Sequence, residues 1–117
     1  MIDILNIVIA LISIGFGLIG WIAPRYTLNQ LGLAAREGST MGPSEMRAAS
    51  GALFVGLGVG ALLIGTPTAY AMIGCAWGGA GIGRLSSIFL DGASRQKWTF
   101  FAVEITVGVV AIVINHL

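Results

Sequence analysis

Residues 84–104 read RLSSIFLDGASRQKWTFFAVE, a short polar turn between two apolar runs. One charge lies inside each run, Arg84 before the turn and Glu104 after it. If the runs fold as a helical hairpin, the rise per residue places both charges at a similar depth on one side of a bilayer. A charge at that depth is costly unless it is paired, so the stretch predicts an ion pair between Arg84 and Glu104.

The composition of the chain indicates an integral membrane protein. Of its 117 residues, 56% are hydrophobic and only 9% are charged, whereas a soluble domain carries about 25% charged residues. The net charge is +1 and there is no run rich in Lys and Arg, so nucleic acid is not an expected partner. The length has room for a single domain, residues 1–117.

The apolar runs predict four membrane spans, at about residues 4–23, 44–65, 69–90 and 97–115. Each has about 20 residues, which is enough to cross a hydrocarbon core of about 30 Å. The turn at residues 66–68 is so short that the second and third spans must be antiparallel neighbours. The predicted fold class is therefore all-α, an integral membrane protein folded as an antiparallel four-helix transmembrane bundle.

Capping residues and one long connection add detail to this fold. Ser44 is a favourable N-cap for the second span, and Gly92 suits the position after the third span. Residues 25–43 form the only sizeable polar connection. Within it Leu28, Leu31 and Ala35 share a helical face, which predicts a short helix on the membrane surface. The alternative is a gating or docking loop.

The basic residues predict the orientation of the chain. Those outside the spans or near their ends all fall on the side of the first and third connections: Arg25, Arg36, Arg47, Arg95 and Lys97. The opposite side holds both termini and the second connection, and it has none. By the positive-inside rule the first and third connections are cytoplasmic. We therefore expect a multi-pass membrane protein with both termini on the side opposite the cytoplasm.

Rows of small residues predict where helices approach each other closely. A helix-packing seam is predicted from rows in the second and third spans: Ala48, Ala52, Gly56, Gly60, Gly74, Gly78, Gly79 and Gly83. The sequence leaves open whether these rows pack within the bundle or between subunits.

Three other helical faces carry distinctive residues. The first span aligns Ser13, Gly17 and Gly20, small residues that let a neighbouring backbone come close. The second span has a rotated face that includes a charge: Arg47, Gly51, Phe54 and Gly58. The polar face of the fourth span consists of Phe100, Glu104, Gly108, Ala111 and Asn115.

Charged residues cluster in the cytoplasmic half of the predicted bundle. The cluster consists of Glu45, Arg47, Arg84, Asp91 and Glu104. In one interpretation it is a structural network that fixes the register of the helices, with Arg47 close to the central pair. In the other, Glu104 or Asp91 binds and releases a proton or a cation during transport.

The sequence offers no catalytic or metal-binding arrangement. It has no Ser/His/Asp or Cys/His set and no His/Glu metal motif. Cys75 is the single cysteine and lies in an apolar stretch, so we predict a small buried residue. His116 is predicted to be solvated. No enzymatic activity, metal or cofactor is expected.

Two short motifs carry a resemblance to a known family. They are an E-x-R-A element at residues 45–48 and a G-R element at residues 83–84 followed by Asp91-Gly92, with Glu104 beyond. The arrangement resembles a bacterial family of small four-span membrane proteins described only as a domain of unknown function. The similarity covers nearly the whole chain, although Ser50-Gly51 stands where that family often has two glycines. The resemblance implies the same architecture in the inner membrane of a bacterium, with both termini in the periplasm, and singles out the same charges, but it implies no activity.

Two functions are compatible with these features. One is a non-catalytic accessory or assembly subunit that packs through its Gly/Ala seams against other membrane helices. The other is a homo-oligomeric carrier or channel for small solutes or ions, linked to protons, with Arg47, Arg84 and Glu104 along the path. In both cases the expected partners are the lipid bilayer and either further copies of the chain or other membrane subunits.

Overall fold

The computed structural model describes residues 2–116, and every regular element among them is helical. In chain order these are α1 (Ile2–Ile22), α2 (Pro24–Gln30), α3 (Met41–Arg47), a π-helical segment (Ala48–Ala52), α4 (Leu53–Ile64), α5 (Pro67–Leu90) and α6 (Arg95–Ile114). The chain divides into two compact units. The hairpin unit comprises the chain up to Ile9 and from Ile64 onward, and the other unit is Ala10–Leu63. The predicted all-α class is confirmed for the described residues.

Three helical stretches are long and apolar enough to cross a membrane. They are Asp3–Ile22, the continuous stretch Met41–Ile64, and Arg95–Ile114. α5 is also long, with 24 residues, but it is not among the three, because its five glycines, two serines and Arg84 lower its mean hydropathy. Each of the four long helical stretches begins two or three residues before the predicted span.

Capping side chains explain where α5 and α6 begin. The Thr66 side chain accepts a hydrogen bond from the backbone N–H of Ala69, and the Ser94 side chain accepts one from that of Lys97. These bonds satisfy amides of the first turn, which have no partner inside the helix. At the other end of α5, Gly92 has φ +103°, so the predicted glycine cap of this helix is confirmed.

In the Ala10–Leu63 unit, α1 packs closely against the stretch Met41–Ile64. A Cβ atom added at Gly17 would lie 2.6 Å from the carbonyl oxygen of Gly51, and one added at Gly20 would contact the carbonyl oxygen of Ser50. The Ser13 hydroxyl donates a hydrogen bond to the carbonyl oxygen of Phe54 at 2.9 Å. The predicted close approach along the small face of the first span is therefore confirmed.

The rotated face of the second predicted span is the face that meets α1. A Cβ atom at Gly51 would lie 2.7 Å from the backbone nitrogen of Trp21, and one at Gly58 would lie 2.5 Å from the carbonyl oxygen of Ala10. Arg47 lies near the start of the same face and donates a hydrogen bond to the carbonyl oxygen of Trp21 at 2.8 Å. Glycine is required at these positions because the opposing atoms are backbone atoms that no side-chain rotation can move.

The π-helical segment changes the interpretation of the predicted seam in the second span. Each π turn contains more residues than an α turn, so Ala48 and Ala52 are not aligned with Gly56 and Gly60 as an unbroken α-helix would align them. Apart from the adjacent residues and the backbone of the same helix, nothing in residues 2–116 lies within 4 Å of a Cβ atom added at Gly56 or Gly60. These two glycines do not pack within the described chain, and packing between subunits stays a prediction.

The first connection contains a helix, but a shorter one than predicted. α2 ends at Gln30 and buries Leu28, whereas Ala35 lies outside it. The predicted N-cap of the second span is wrong, because Ser44 lies inside α3 and Thr40 precedes the first residue of that helix. The helix can begin ahead of Pro43, since an N–H in the first turn has no partner inside the helix and a proline there loses no hydrogen bond.

In the hairpin unit, α5 and α6 run antiparallel and are joined by residues 91–94. A Cβ atom at Gly74 would lie 2.7 Å from the carbonyl oxygen of Gly108, and one at Gly108 would lie 2.7 Å from both the Cα and N atoms of Gly78. Ala111, one turn further along α6, is fully buried. By contrast, no residue of 2–116 beyond the adjacent ones and the backbone of α5 itself lies within 4 Å of a Cβ atom at Gly79 or Gly83. The glycine rows of α5 therefore divide between an internal face and an open face.

Candidate functional site

Arg84 on α5 and Glu104 on α6 form the predicted ion pair. The Arg84 Nε atom donates to Glu104 Oε1 at 3.0 Å, and Nη2 donates to Oε2 at 3.1 Å. Two parallel, charge-assisted hydrogen bonds of this kind fix the orientation of both side chains. The prediction that two charges at similar depth in the hairpin are paired is confirmed.

The packing around the pair holds both helices close together. A Cβ atom at Gly81 would lie 3.3 Å from the backbone nitrogen of Ile105 and 3.5 Å from the Cβ atom of Glu104. The Phe100 ring centroid lies 5.2 Å from the Arg84 Cζ atom, within the range of a cation–π interaction. The Arg84 side chain is 35% exposed and that of Glu104 only 13%, so the carboxylate depends more on its partner than the guanidinium does.

Chemically, this arrangement is a neutralised pair. Both carboxylate oxygens of Glu104 accept hydrogen bonds from Arg84. Each carboxylate oxygen keeps acceptor capacity beyond this bond, but a second cation at Glu104 would have to compete with the Arg84 guanidinium already bound there.

Of the other three members of the predicted cluster, only Asp91 lies in the hairpin unit with this pair. Asp91 is exposed and accepts a hydrogen bond from the Ser87 hydroxyl of its own helix at 2.9 Å. Lys97, across the turn, donates to the carbonyl oxygen of Gly92 at 2.7 Å. Glu45 is exposed and, like Arg47, belongs to the Ala10–Leu63 unit. The five-residue network therefore stays a prediction.

A depression of about 500 Å³ lies in the Ala10–Leu63 unit, beside the π-helical segment. It is lined by Arg25, Thr40, Pro43, Ser44, Arg47 and Ala48. Its lining combines two guanidinium groups with two hydroxyls.

A buried amide pair ties the start of α1 to the end of α6. Asn6 Nδ2 donates to Asn115 Oδ1 at 2.9 Å, and Asn115 Nδ2 donates to Asn6 Oδ1 at 2.8 Å. Asn115 also donates to the carbonyl oxygen of Ala111 at 2.7 Å. Both side chains are at most 5% exposed. This reciprocal pairing satisfies groups whose burial without partners would be costly.

Comparison with known proteins gives a family. The profile of one family, described as a domain of unknown function, DUF4345, matches residues 1–115. The chain belongs to the DUF4345 family. No curated protein and no solved structure matches it. The resemblance to an uncharacterised family is confirmed at this level, and membership brings no activity to the chain.

Within residues 2–116 of this DUF4345 protein, no three His, Cys, Asp or Glu side chains are grouped to hold a metal ion. Cys75 is exposed, so the prediction of a buried cysteine is wrong. The reason is the rotation of α5: Gly74 and Trp77 are buried, and Cys75 lies on the open side of the helix. His116 is exposed, as predicted.

Sequence reasoning recognised Asn115 as part of a polar face of this DUF4345 protein but missed its partner. The available signal was a single asparagine near the start of an apolar helix. A polar amide in such a helix usually hydrogen-bonds across to another helix. By this rule Asn6 would be matched with Asn115, a polar residue at a similar depth in another span.

Replacing one asparagine of the pair is expected to destabilise the DUF4345 fold. Asn6→Leu leaves the Asn115 amide buried without its partner, which costs about 1–3 kcal/mol. The double substitution Asn6→Leu/Asn115→Leu removes both amides and should recover most of that loss. The stabilities of the single and the double variant are measured by unfolding in mixed detergent micelles, monitored by circular dichroism. A double variant no more stable than Asn6→Leu would contradict the pairing.

Proposed function

We propose that this protein is a non-catalytic subunit of a membrane assembly, which packs against other membrane helices through glycine faces that its own chain leaves open. One observation carries the proposal. Apart from the adjacent residues and the backbone of the same helix, no atom of residues 2–116 lies within 4 Å of a Cβ added at Gly56 and Gly60 on α4 or at Gly79 and Gly83 on α5. Each pair is spaced as G-x-x-x-G, the spacing that allows two membrane helices to approach closely.

The open glycines are costly unless a partner covers them. A glycine inside a helix is less favourable than alanine by about 1 kcal/mol. At Gly17, Gly58 or Gly108 that cost is offset by close packing within the chain. At Gly56 and Gly60 no such packing exists among the described residues. A helix of another subunit would supply it.

The exposed surface supports a location in the membrane. Leu63 and Leu90 are each 82% exposed, and Phe89 is 76% exposed. Apolar surface on this scale is unfavourable in water but suits lipid or a membrane partner. We place Asp3–Ile22, Met41–Ile64 and Arg95–Ile114 across the bilayer, because all three have the required length and hydropathy.

We infer that α5 is the fourth span. Its 24 residues would extend about 36 Å, more than the hydrocarbon thickness of about 30 Å. Arg84 is the charge that makes this helix less apolar, and its pairing with Glu104 reduces the cost of placing both groups in lipid. The basic residues of the first and third connections then face the cytoplasm of a bacterial cell, and both termini face the periplasm.

The bidentate geometry of the charge pair favours a subunit over a carrier. Transport through Glu104 would require the carboxylate to exchange Arg84 for a solute or proton in each cycle. Both of its oxygens are bound in the same pair, and this arrangement suits a group that fixes helix register.

The proposal is tested by filling the open faces. Gly56→Leu/Gly60→Leu and Gly79→Leu/Gly83→Leu are made in the tagged protein, which is extracted gently from its own membranes for native mass spectrometry. We expect the unmodified protein to carry a stoichiometric foreign subunit, and at least one double variant to lose it while remaining folded.

Gly15→Leu is the matched control. Gly15 is an isolated open glycine of α1, so its substitution should leave the assembly intact. A homo-oligomer without foreign subunits would overturn the accessory role and favour the carrier, and flux across liposomes would then be measured. Equal loss of the subunit in the control would show that the two glycine faces are not specific.

A further inference from the structure

The depression in the Ala10–Leu63 unit has a lining whose charges are all basic. Arg25 and Arg47 contribute guanidinium groups, Thr40 and Ser44 contribute hydroxyls, and no carboxylate lines it. Arg47 is oriented by its bond to the carbonyl oxygen of Trp21, which uses one of the five N–H groups of a guanidinium. The Arg25 side chain makes no hydrogen bond or ion pair with another residue of the part of the chain described.

This combination of groups is suited to phosphate. Guanidinium groups donate paired hydrogen bonds to phosphate oxygens, and hydroxyls can donate to the oxygens that remain. An anion in the depression would therefore have two cations and two further donors within one lining, and no acidic side chain of that lining to repel it.

The position of the depression indicates which phosphate would occupy it. Arg25 follows the end of α1 by three residues, and Arg47 lies near the start of the stretch Met41–Ile64. Both are thus at the boundary between membrane-length apolar helices and the polar connection. Trp21 and Tyr26 are exposed beside this boundary, as aromatic residues at the level of lipid headgroups commonly are.

We propose that this depression binds the phosphate group of an anionic phospholipid headgroup. The inference rests on the membrane location proposed above, but not on any partner subunit. Two arginines and two hydroxyls hold the phosphate, and Pro43, which is buried, contributes apolar lining beside them. Free phosphate has the same chemistry, so the experiment has to separate the two sources.

The protein in detergent micelles is titrated with phosphatidylglycerol or phosphatidylcholine, and bound lipid is counted by native mass spectrometry. Phosphatidylglycerol should be retained in preference to phosphatidylcholine. Arg25→Gln should weaken its binding about tenfold, and Arg25→Gln/Arg47→Gln about 100-fold, because each substitution removes the charge-assisted hydrogen bonds of one guanidinium to the phosphate. Arg25→Gln alone keeps the test sound if loss of the Arg47–Trp21 bond disturbs folding.

Arg36→Gln is the matched control, because Arg36 belongs to the same connection and carries the same charge but does not line the depression. It should bind phosphatidylglycerol as the unmodified protein does. Equal weakening in this control, or unchanged binding in Arg25→Gln, would overturn the site. Inorganic phosphate that binds as tightly as the lipid, with the same dependence on Arg25, would overturn the lipid as its ligand. A protein that retains neither lipid would overturn the site, whereas the membrane location rests on helix length and exposed apolar surface and the subunit role is tested separately by the glycine variants.

Discussion

Gly108→Ala is expected to destabilise the α5–α6 hairpin by about 3 kcal/mol, at the upper end of the usual cost of overpacking. The added Cβ atom would lie 2.7 Å from the Cα and N atoms of Gly78 and 3.0 Å from the carbonyl oxygen of Gly74. All three are backbone atoms, so relief requires the two helices to move apart. Destabilisation by this substitution would point to the close packing, because Gly→Ala inside a helix normally stabilises the helix by up to about 1 kcal/mol.

The measurement is the free energy of unfolding in mixed detergent micelles, and Gly83→Ala is its matched control. Gly83 lies in the same hairpin, and no atom of α6 or of any other helix in residues 2–116 is within 4 Å of its added Cβ atom. The control should be as stable as the unmodified protein or slightly more stable. Equal destabilisation by the two substitutions would show that α5 and α6 do not meet along the Gly74–Gly78–Gly108 face.

Arg84→Met is expected to cost about 3 kcal/mol, because it leaves a largely buried carboxylate without its partner. Glu104→Gln should cost less, about 1–2 kcal/mol. The Arg84 side chain is more exposed than that of Glu104 and keeps its contact with the Phe100 ring. The double variant Arg84→Met/Glu104→Met should recover most of the stability, since replacing both members of a buried pair with apolar groups is often neutral.

A double-mutant cycle on the same unfolding measurement isolates the energy of the pair. Arg95→Met is a suitable control, because Arg95 lies on α6 but is exposed and outside the ion pair. Additive effects of the two single substitutions would contradict a coupled pair. Glu104→Gln also separates the two functions: loss of assembly supports the subunit role, whereas loss of solute flux with assembly and stability intact supports the carrier.

The charge pair and the main packing faces could be predicted because each follows from one strong constraint. A lone charge in an apolar run requires a partner, and the hairpin places Glu104 at the depth of Arg84. Likewise, small residues repeated along one side of a helix mark a close approach. This reasoning identified the face containing Gly17 and Gly20 and the polar face of α6.

Other features depend on contacts that residue periodicity does not contain. The π-helical segment Ala48–Ala52 arises from a change in backbone hydrogen bonding, and no residue type in the sequence requires it. Because of this segment, Ala48 and Ala52 do not line up with Gly56 and Gly60 as α-helical spacing predicts. The exposure of Cys75 similarly depends on which side of α5 meets α6. Asn6 was missed because its partner lies 109 positions away along the chain.

The distance between Asn6 and Asn115 along the chain has a consequence for how the protein is made. Translation produces the Asn6 side chain long before its partner, so during most of synthesis this amide must be hydrated or bound by another molecule. The first helix can meet the stretch Met41–Ile64 earlier, but its Asn6 contact forms only after α6 has emerged from the ribosome. A chain whose translation stops before Asn115 therefore keeps in its first helix an amide without its native partner, and it lacks the stability of about 1–3 kcal/mol that the pairing protects.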